Sequence, residues 1–166
     1  MAQVTQRGVS VQTSGDLPTI GSQAPEFHLT ATNLTDVTLA EFRGKKVVLN
    51  IFPSIDTGIC AMSVRRFNAE IANYPNSVVL CISRDLPFAH KRFCGAEGLE
   101  HVQSLSELRT RDFGAAYGLH LLGGSMAGLL ARAVLVLDEA GVVRYVELVP
   151  EIVQEPDYGA ALAALA

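Results

Sequence analysis

Two short apolar runs constrain this chain more than any other feature. Residues 46–52 (KVVLNIF) and 77–83 (SVVLCIS) are rich in β-branched side chains and do not alternate apolar with polar. A strand with one face in water alternates, whereas a continuous apolar strand is buried on both faces, as in parallel sheets covered by helices. Between the runs, Cys60, Val64, Phe67 and Ile71 fall at i, i+4, i+7 and i+11, a single apolar stripe along a helix. Strand, helix and strand therefore predict a βαβ crossover with two central parallel strands, and Cys60 lies in the first turn of its helix.

The rest of the chain extends that unit. Val4-Thr5 and Val9-Ser10-Val11, either side of Arg7-Gly8, predict a small N-terminal hairpin within about residues 1–15. Residues 86–94 read as a helix stopping at Gly95, 112–117 as a short helix stopping at Gly118, and 102–105 as a strand. Residues 133–137 and 142–148 flank the turn cluster 138–141 (DEAG) and pair as an antiparallel hairpin. Beyond Pro156, Asp157 is placed to cap a last helix. The expected fold class is α/β, a mixed central sheet flanked by helices, with residues 1–166 as one domain.

Charge and cysteine usage narrow the function. With 13 basic and 17 acidic side chains the net charge is −4, and no cluster of Lys or Arg forms an electrostatic footprint for nucleic acid or anionic lipid. No apolar stretch is long enough to span a membrane and residues 1–20 lack the apolar core of a signal peptide, so the expectation is a cytoplasmic protein without membrane contact. Three cysteines, an odd number, point to free or catalytic thiols and away from structural disulfides.

The chemistry concentrates in residues 53–60 (PSIDTGIC), which lead from a buried strand into the first turn of a helix. There the unpaired N–H groups and the positive end of the helix dipole favour an anion, and a thiolate is the anion Cys60 supplies. An ordinary thiol, with a pKa of about 8.5, is only a few per cent ionised at neutral pH, and helix N-termini and cationic neighbours lower that value. Thr57 offers a hydroxyl that can donate to the sulfur and accept from a substrate, and Pro53 can shield the pocket without adding an N–H. On geometry alone the same residues also fit a buried small hydrophobe at Cys60 with Thr57 as a simple cap.

The P-x-x-x-T-x-x-C arrangement resembles the peroxiredoxins, and 50–60 (NIFPSIDTGIC) is similar to their thiol peroxidase branch. Residues 84–98 (RDLPFAHKRFCGAEG), 131–134 (ARAV) and 151–162 (EIVQEPDYGAAL) share the likeness, so it covers nearly all of the chain from about Gly15. The resemblance implies a thioredoxin-like fold, a peroxidatic Cys60, a resolving Cys94 in the same chain (the atypical two-cysteine arrangement), an active-site Arg132, regeneration by thioredoxin, and a homodimer. It implies a peroxidase acting on hydrogen peroxide and organic hydroperoxides. The chain departs from the family pattern at 124–128 (GSMAG), where relatives often carry a Pro, which leaves the shape of that loop open.

Other residues carry blander readings. Cys81, inside an apolar run, reads as core filler, and the surface around Arg65, Arg66 and Glu70 as a solvated helix face. His28, His90, His101 and His120 have no partner at a metal-ligand spacing, so no metal is expected. No organic cofactor is called for, since sulfur carries the redox chemistry, and Gly114, Gly123 and Gly124 read as turn residues. A peroxide-sensing or partner-binding redox module with little turnover is the alternative function, and a disulfide exchanger is weakened by the absence of C-x-x-C.

Overall fold

In a computed structural model describing residues 1–166, the chain runs through β1 (Gln3–Gln6), β2 (Val9–Gln12), β3 (His28–Ala31), β4 (Asp36–Thr38), β5 (Lys46–Ile51), α1 (Gly58–Ile71) and β6 (Ser77–Ser83). It continues through α2 (Pro87–Glu97), β7 (Val102–Ser106), α3 (Asp112–Tyr117), β8 (Ala133–Leu137), β9 (Val143–Leu148) and α4 (Tyr158–Ala163). β1 and β2 form a separate hairpin, and the other seven strands form one sheet in the order β4-β3-β7-β6-β5-β8-β9. β5, β6 and β7 are parallel, and the pairs at the two sides are antiparallel.

The two apolar runs lie at the centre, as expected, with Val48 opposite Val79 and Asn50 opposite Cys81. Their lack of alternation has a direct cause. Val47, Leu49 and Ile51 enter the core on one side of the sheet, and Val48 and Phe52 enter a second core on the other. The second core is closed by the α1 stripe of Cys60, Val64, Phe67 and Ile71 together with Tyr158, Ala161 and Leu162 of α4. The first is covered by Phe113 and Tyr117 of α3 and by Val4 and Val11 of the hairpin. The hairpin turn has positive φ at both Arg7 (50°) and Gly8 (83°), the geometry that matches strand twist in two-residue hairpins.

Some expectations need correction. α2 does not stop at Gly95 but continues to Glu97 and ends at Gly98, whose φ of 66° supplies the left-handed cap. A glycine inside a helix costs only about 1 kcal/mol against alanine, so Gly95 is tolerated, and Cys94 sits within the helix instead of at its end. Gly114 is not a turn residue: it lies in α3, where a Cβ would come within 2.2 Å of the His120 ring. The Arg65–Arg66 face is solvent-exposed, as expected, and it also carries contacts between helices. Arg65 pairs with Glu97 of α2 at 2.8 Å and stacks on Phe93, and Arg66 stacks on Tyr158 of α4. β3 and β4, of four and three residues, carry too short a pattern to be read from sequence.

His90 of α2 is buried, 1% exposed, with its ring edge-on to Phe52. Burial holds its pKa below the usual 6.5, so the folded chain favours the neutral ring while the unfolded chain binds a proton below about that value. This contribution to stability is complete above about pH 6.5 and is lost as the pH falls through the lower folded value. A His90→Gln variant should therefore lose less stability than wild type between pH 7.5 and pH 5 in urea titrations. An identical pH slope in the two proteins would contradict the assignment.

Candidate active site

β5 and its continuation deliver the chain to the site. The Phe52 N–H donates to Ile82 O at 3.1 Å, which prolongs the parallel ladder until Pro53, without an N–H, ends it. The loop then folds back on itself, with the Thr57 N–H donating to Ser54 O at 3.2 Å. It is also anchored to the end of β6, because Asp85 accepts from the Ser54 hydroxyl and the Ile55 N–H, each at 2.7 Å. Thr57 occupies the N-cap position in extended geometry, and its carbonyl takes the first helical bond from the Ala61 N–H. Cys60 is thus the third residue of α1, among N–H groups that have no intrahelical acceptor, and it is fully buried.

Arg132, the residue before β8, completes the arrangement. It is 2% exposed and forms no ion pair with a carboxylate. Its Nε donates to Ile152 O at 2.7 Å, which fixes the guanidinium plane, and Nη2 donates to Cys60 Sγ at 3.3 Å. Nη1 is buried and has no protein partner. A buried cation without a counterion costs several kcal/mol, roughly, unless an anion is supplied at the site, and the only group its fork reaches besides a carbonyl is sulfur. The Thr57 hydroxyl does not donate to that sulfur, contrary to expectation. It donates to Ser54 O at 3.0 Å, which lies closer along the turn, and keeps its lone pairs for an incoming donor.

Pro53, Thr57 and Arg132 line one open cavity of about 690 Å³, with Cys60 buried beside it. Its lining includes the apolar side chains of Ile59, Met62, Met126 and Val153 beside the polar ones of Thr57 and Arg132. Sequence reasoning missed two contributions. The tip of the hairpin supplies Gln6 and Arg7, and the loop at 124–128, whose shape was open, brings Ser125 and Met126 into the wall. Gln6 Nε2 donates to Ser125 Oγ at 2.8 Å, and Glu151 accepts from Gly8 N–H at 2.9 Å and Thr5 Oγ1 at 3.1 Å. These N–H and O–H donors, the Gly8 amide foremost, hold the Glu151 carboxyl below its usual range. The hairpin is thereby tied to the segment whose Ile152 carbonyl orients Arg132.

Cys94 is not brought into this cavity. All three cysteines are free, and Cys94 is half-buried on α2, 3.5 Å from Ser104 Oγ, lining a different cleft of about 620 Å³. Cys81 is fully buried, and burial pushes its thiol up to about 12 against a weaker opposing bond from Asn50. In reduced, folded protein at pH 9, iodoacetamide should modify Cys94 while Cys81 stays intact until denaturant is added. Equal labelling of the two, counted by mass spectrometry, would rule out an inert core thiol at Cys81.

The Redoxin family model matches residues 19–162. Thiol peroxidases of Mycobacterium tuberculosis and Mycobacterium bovis are each 56% identical to the chain over 165 residues, covering 99% of both proteins. That of Corynebacterium glutamicum is 53% identical over the same span. Among solved structures, a peroxiredoxin-like protein from Aquifex aeolicus superposes with a TM-score of 0.93 at 34% identity, covering 99% of this chain and 96% of that one. Thiol peroxidase from Chromobacterium violaceum gives a TM-score of 0.91 at 24% identity, covering 99% of this chain and 96% of its own, a likeness of fold. A helix-capped thiol on a thioredoxin-like scaffold and full-length likeness at this level lead to one assignment: the chain belongs to the Redoxin family, on its thiol peroxidase branch.

Proposed function

We propose that Cys60 is the peroxidatic nucleophile of a thiol-dependent peroxidase, and that Arg132, Thr57 and Pro53 form the pocket in which it reacts. The observation that carries this reading is the buried Arg132 fork, with Nη2 3.3 Å from Cys60 Sγ and Nη1 unpartnered. In the first step the Cys60 thiolate attacks the terminal oxygen of a hydroperoxide. The S–O bond forms as the O–O bond breaks, sulfur is oxidised to sulfenic acid, and the other oxygen leaves as alkoxide or hydroxide and takes a proton. Negative charge spreads along the S–O–O line, and fixed donors along that line lower the barrier. Arg132 Nη1 and the N–H groups at the start of α1 are such donors, and the Thr57 lone pairs can receive the peroxide O–H.

Cys94 then resolves the sulfenic acid. Its thiol attacks the Cys60 sulfur, the S–S bond forms, the S–O bond breaks, and hydroxide departs as water. Thioredoxin, or a dithiol of its type, exchanges with that disulfide and returns two thiols. The apolar wall of the cavity favours organic hydroperoxides beside hydrogen peroxide. We expect a cytoplasmic homodimer, to be tested by fractionation and sedimentation velocity; no helix is long and apolar enough to cross a membrane.

Three substitutions test the roles. Cys60→Ser should abolish peroxide consumption, because a hydroxyl is barely ionised near neutral pH. Arg132→Ala removes a charge-assisted donor and should slow the second-order reaction with peroxide by about ten- to a hundredfold. An unchanged rate would take Arg132 out of the site. Cys94→Ser should still be oxidised once but lose thioredoxin-supported cycling, and full cycling without Cys94 would show that another thiol resolves.

A further inference from the structure

The end of β6 joins the two sulfur-bearing segments through one carboxylate. Asp85 Oδ1 accepts from the Ser54 hydroxyl and Oδ2 from the Ile55 N–H, each at 2.7 Å, so both bonds reach into the loop that carries Cys60. Oδ2 also accepts from the Ser83 hydroxyl at 2.5 Å. Ser83 Oγ, its proton committed to Asp85, can only accept from His90 Nε2 at 3.0 Å, which puts the proton of the neutral ring on Nε2. His90 lies one helical turn before Cys94 on α2. A second link between the segments, Asp56 to Arg92 at 2.8 Å, is exposed on both sides and therefore screened by solvent and salt. Asp85 is half-buried and its partner Ser83 is fully buried, so its bonds are the ones that resist loosening.

Resting on the Cys60–Cys94 reading above, we propose that Asp85 is a positioning residue that holds the 53–60 loop in its peroxide-reactive form. Release of its bonds to Ser54 and Ile55 frees Cys60 to reach Cys94. While the bonds stand, Cys60 Sγ is fixed beneath the cavity, 3.3 Å from Arg132. Cys94 lines a separate cleft, so sulfur–sulfur bonding, which needs Cα atoms within about 7 Å, requires motion of one segment or both. The bonds of Ser54 and Ile55 to Asp85 restrain the chain just upstream of α1 and so limit how far its first turn can swing. Asp85 thus favours the first chemical step and opposes the second. In the second, Cys60–SOH and the Cys94 thiol give a disulfide and one water, with no further reactant.

The test follows both steps in one quench-flow experiment. The chain has no Trp, so samples are quenched after mixing with one equivalent of peroxide, sulfenic acid is trapped with dimedone, and each cysteine is read by mass spectrometry. In Asp85→Ala, sulfenic acid should form about tenfold more slowly and convert to disulfide about tenfold faster than in wild type. Ser54→Ala removes one of the two loop bonds and should move both rates in the same directions by about threefold, which keeps the test open if Asp85→Ala does not fold. Opposite changes are the signature, because general destabilisation does not slow one step while speeding the next. Two unchanged rates, or two rates that fall together, would overturn the role of Asp85. Wild-type protein oxidised at Cys60 without a Cys60–Cys94 bond would overturn the pairing and the gate with it, a result separate from any variant.

Discussion

The candidate site depends on one contact, between a buried guanidinium and a buried sulfur. Arg132 is buried with no carboxylate beside it, and the end of its fork lies 3.3 Å from Cys60 Sγ. Neither residue could be held there by local structure alone. Cys60 is positioned by the exit of β5, by Pro53 and by the start of α1, whereas Arg132 is positioned by β8, the antiparallel neighbour of β5. The adjacency of those two central strands brings the groups together across more than seventy residues of sequence.

Support for the contact reaches the periphery. Arg132 Nε needs the Ile152 carbonyl, residues 150–152 are pinned by main-chain bonds to Thr5, and Glu151 fastens the hairpin turn at Gly8. The N-terminal hairpin, separate from the sheet, therefore helps orient the guanidinium while its tip forms part of the cavity wall. On the opposite side Asp85 ties the Cys60 loop to the end of β6. The 53–60 loop therefore combines polar bonds to its neighbours with apolar anchors, since Ile55 and Cys60 are buried in the second core.

Much of this was legible in the sequence, and for identifiable reasons. The strands 46–51 and 77–83 were readable because burial on both faces removes alternation, and Cys60 was placed in its helix by the stripe it shares with Val64, Phe67 and Ile71. The α3 end at Gly118 and the Asp157 cap of α4, which accepts from the Ala160 N–H, follow from local backbone chemistry. What escaped depends on distant contacts. Arg65 and Arg66 do stand on a solvated face, but the rings beneath them, Phe93 and Tyr158, come from α2 and α4 and leave no local pattern. Gly114 looks like a turn until His120 packs against it, and Thr57 looks free to reach sulfur until the turn brings in the Ser54 carbonyl. Asp85 carried no signal of its own, because its meaning lies in a loop some thirty residues upstream.

The three thiols occupy three environments: one beneath a cavity beside a guanidinium, one on a helix in another cleft, and one sealed in the core. The most direct test is titration of the reduced protein with peroxide, followed by thiol counting and disulfide mapping. One equivalent should consume two thiols per chain, join Cys60 to Cys94 and leave Cys81 free. Oxidation that starts at Cys94 or Cys81, or that scatters over all three, would contradict it.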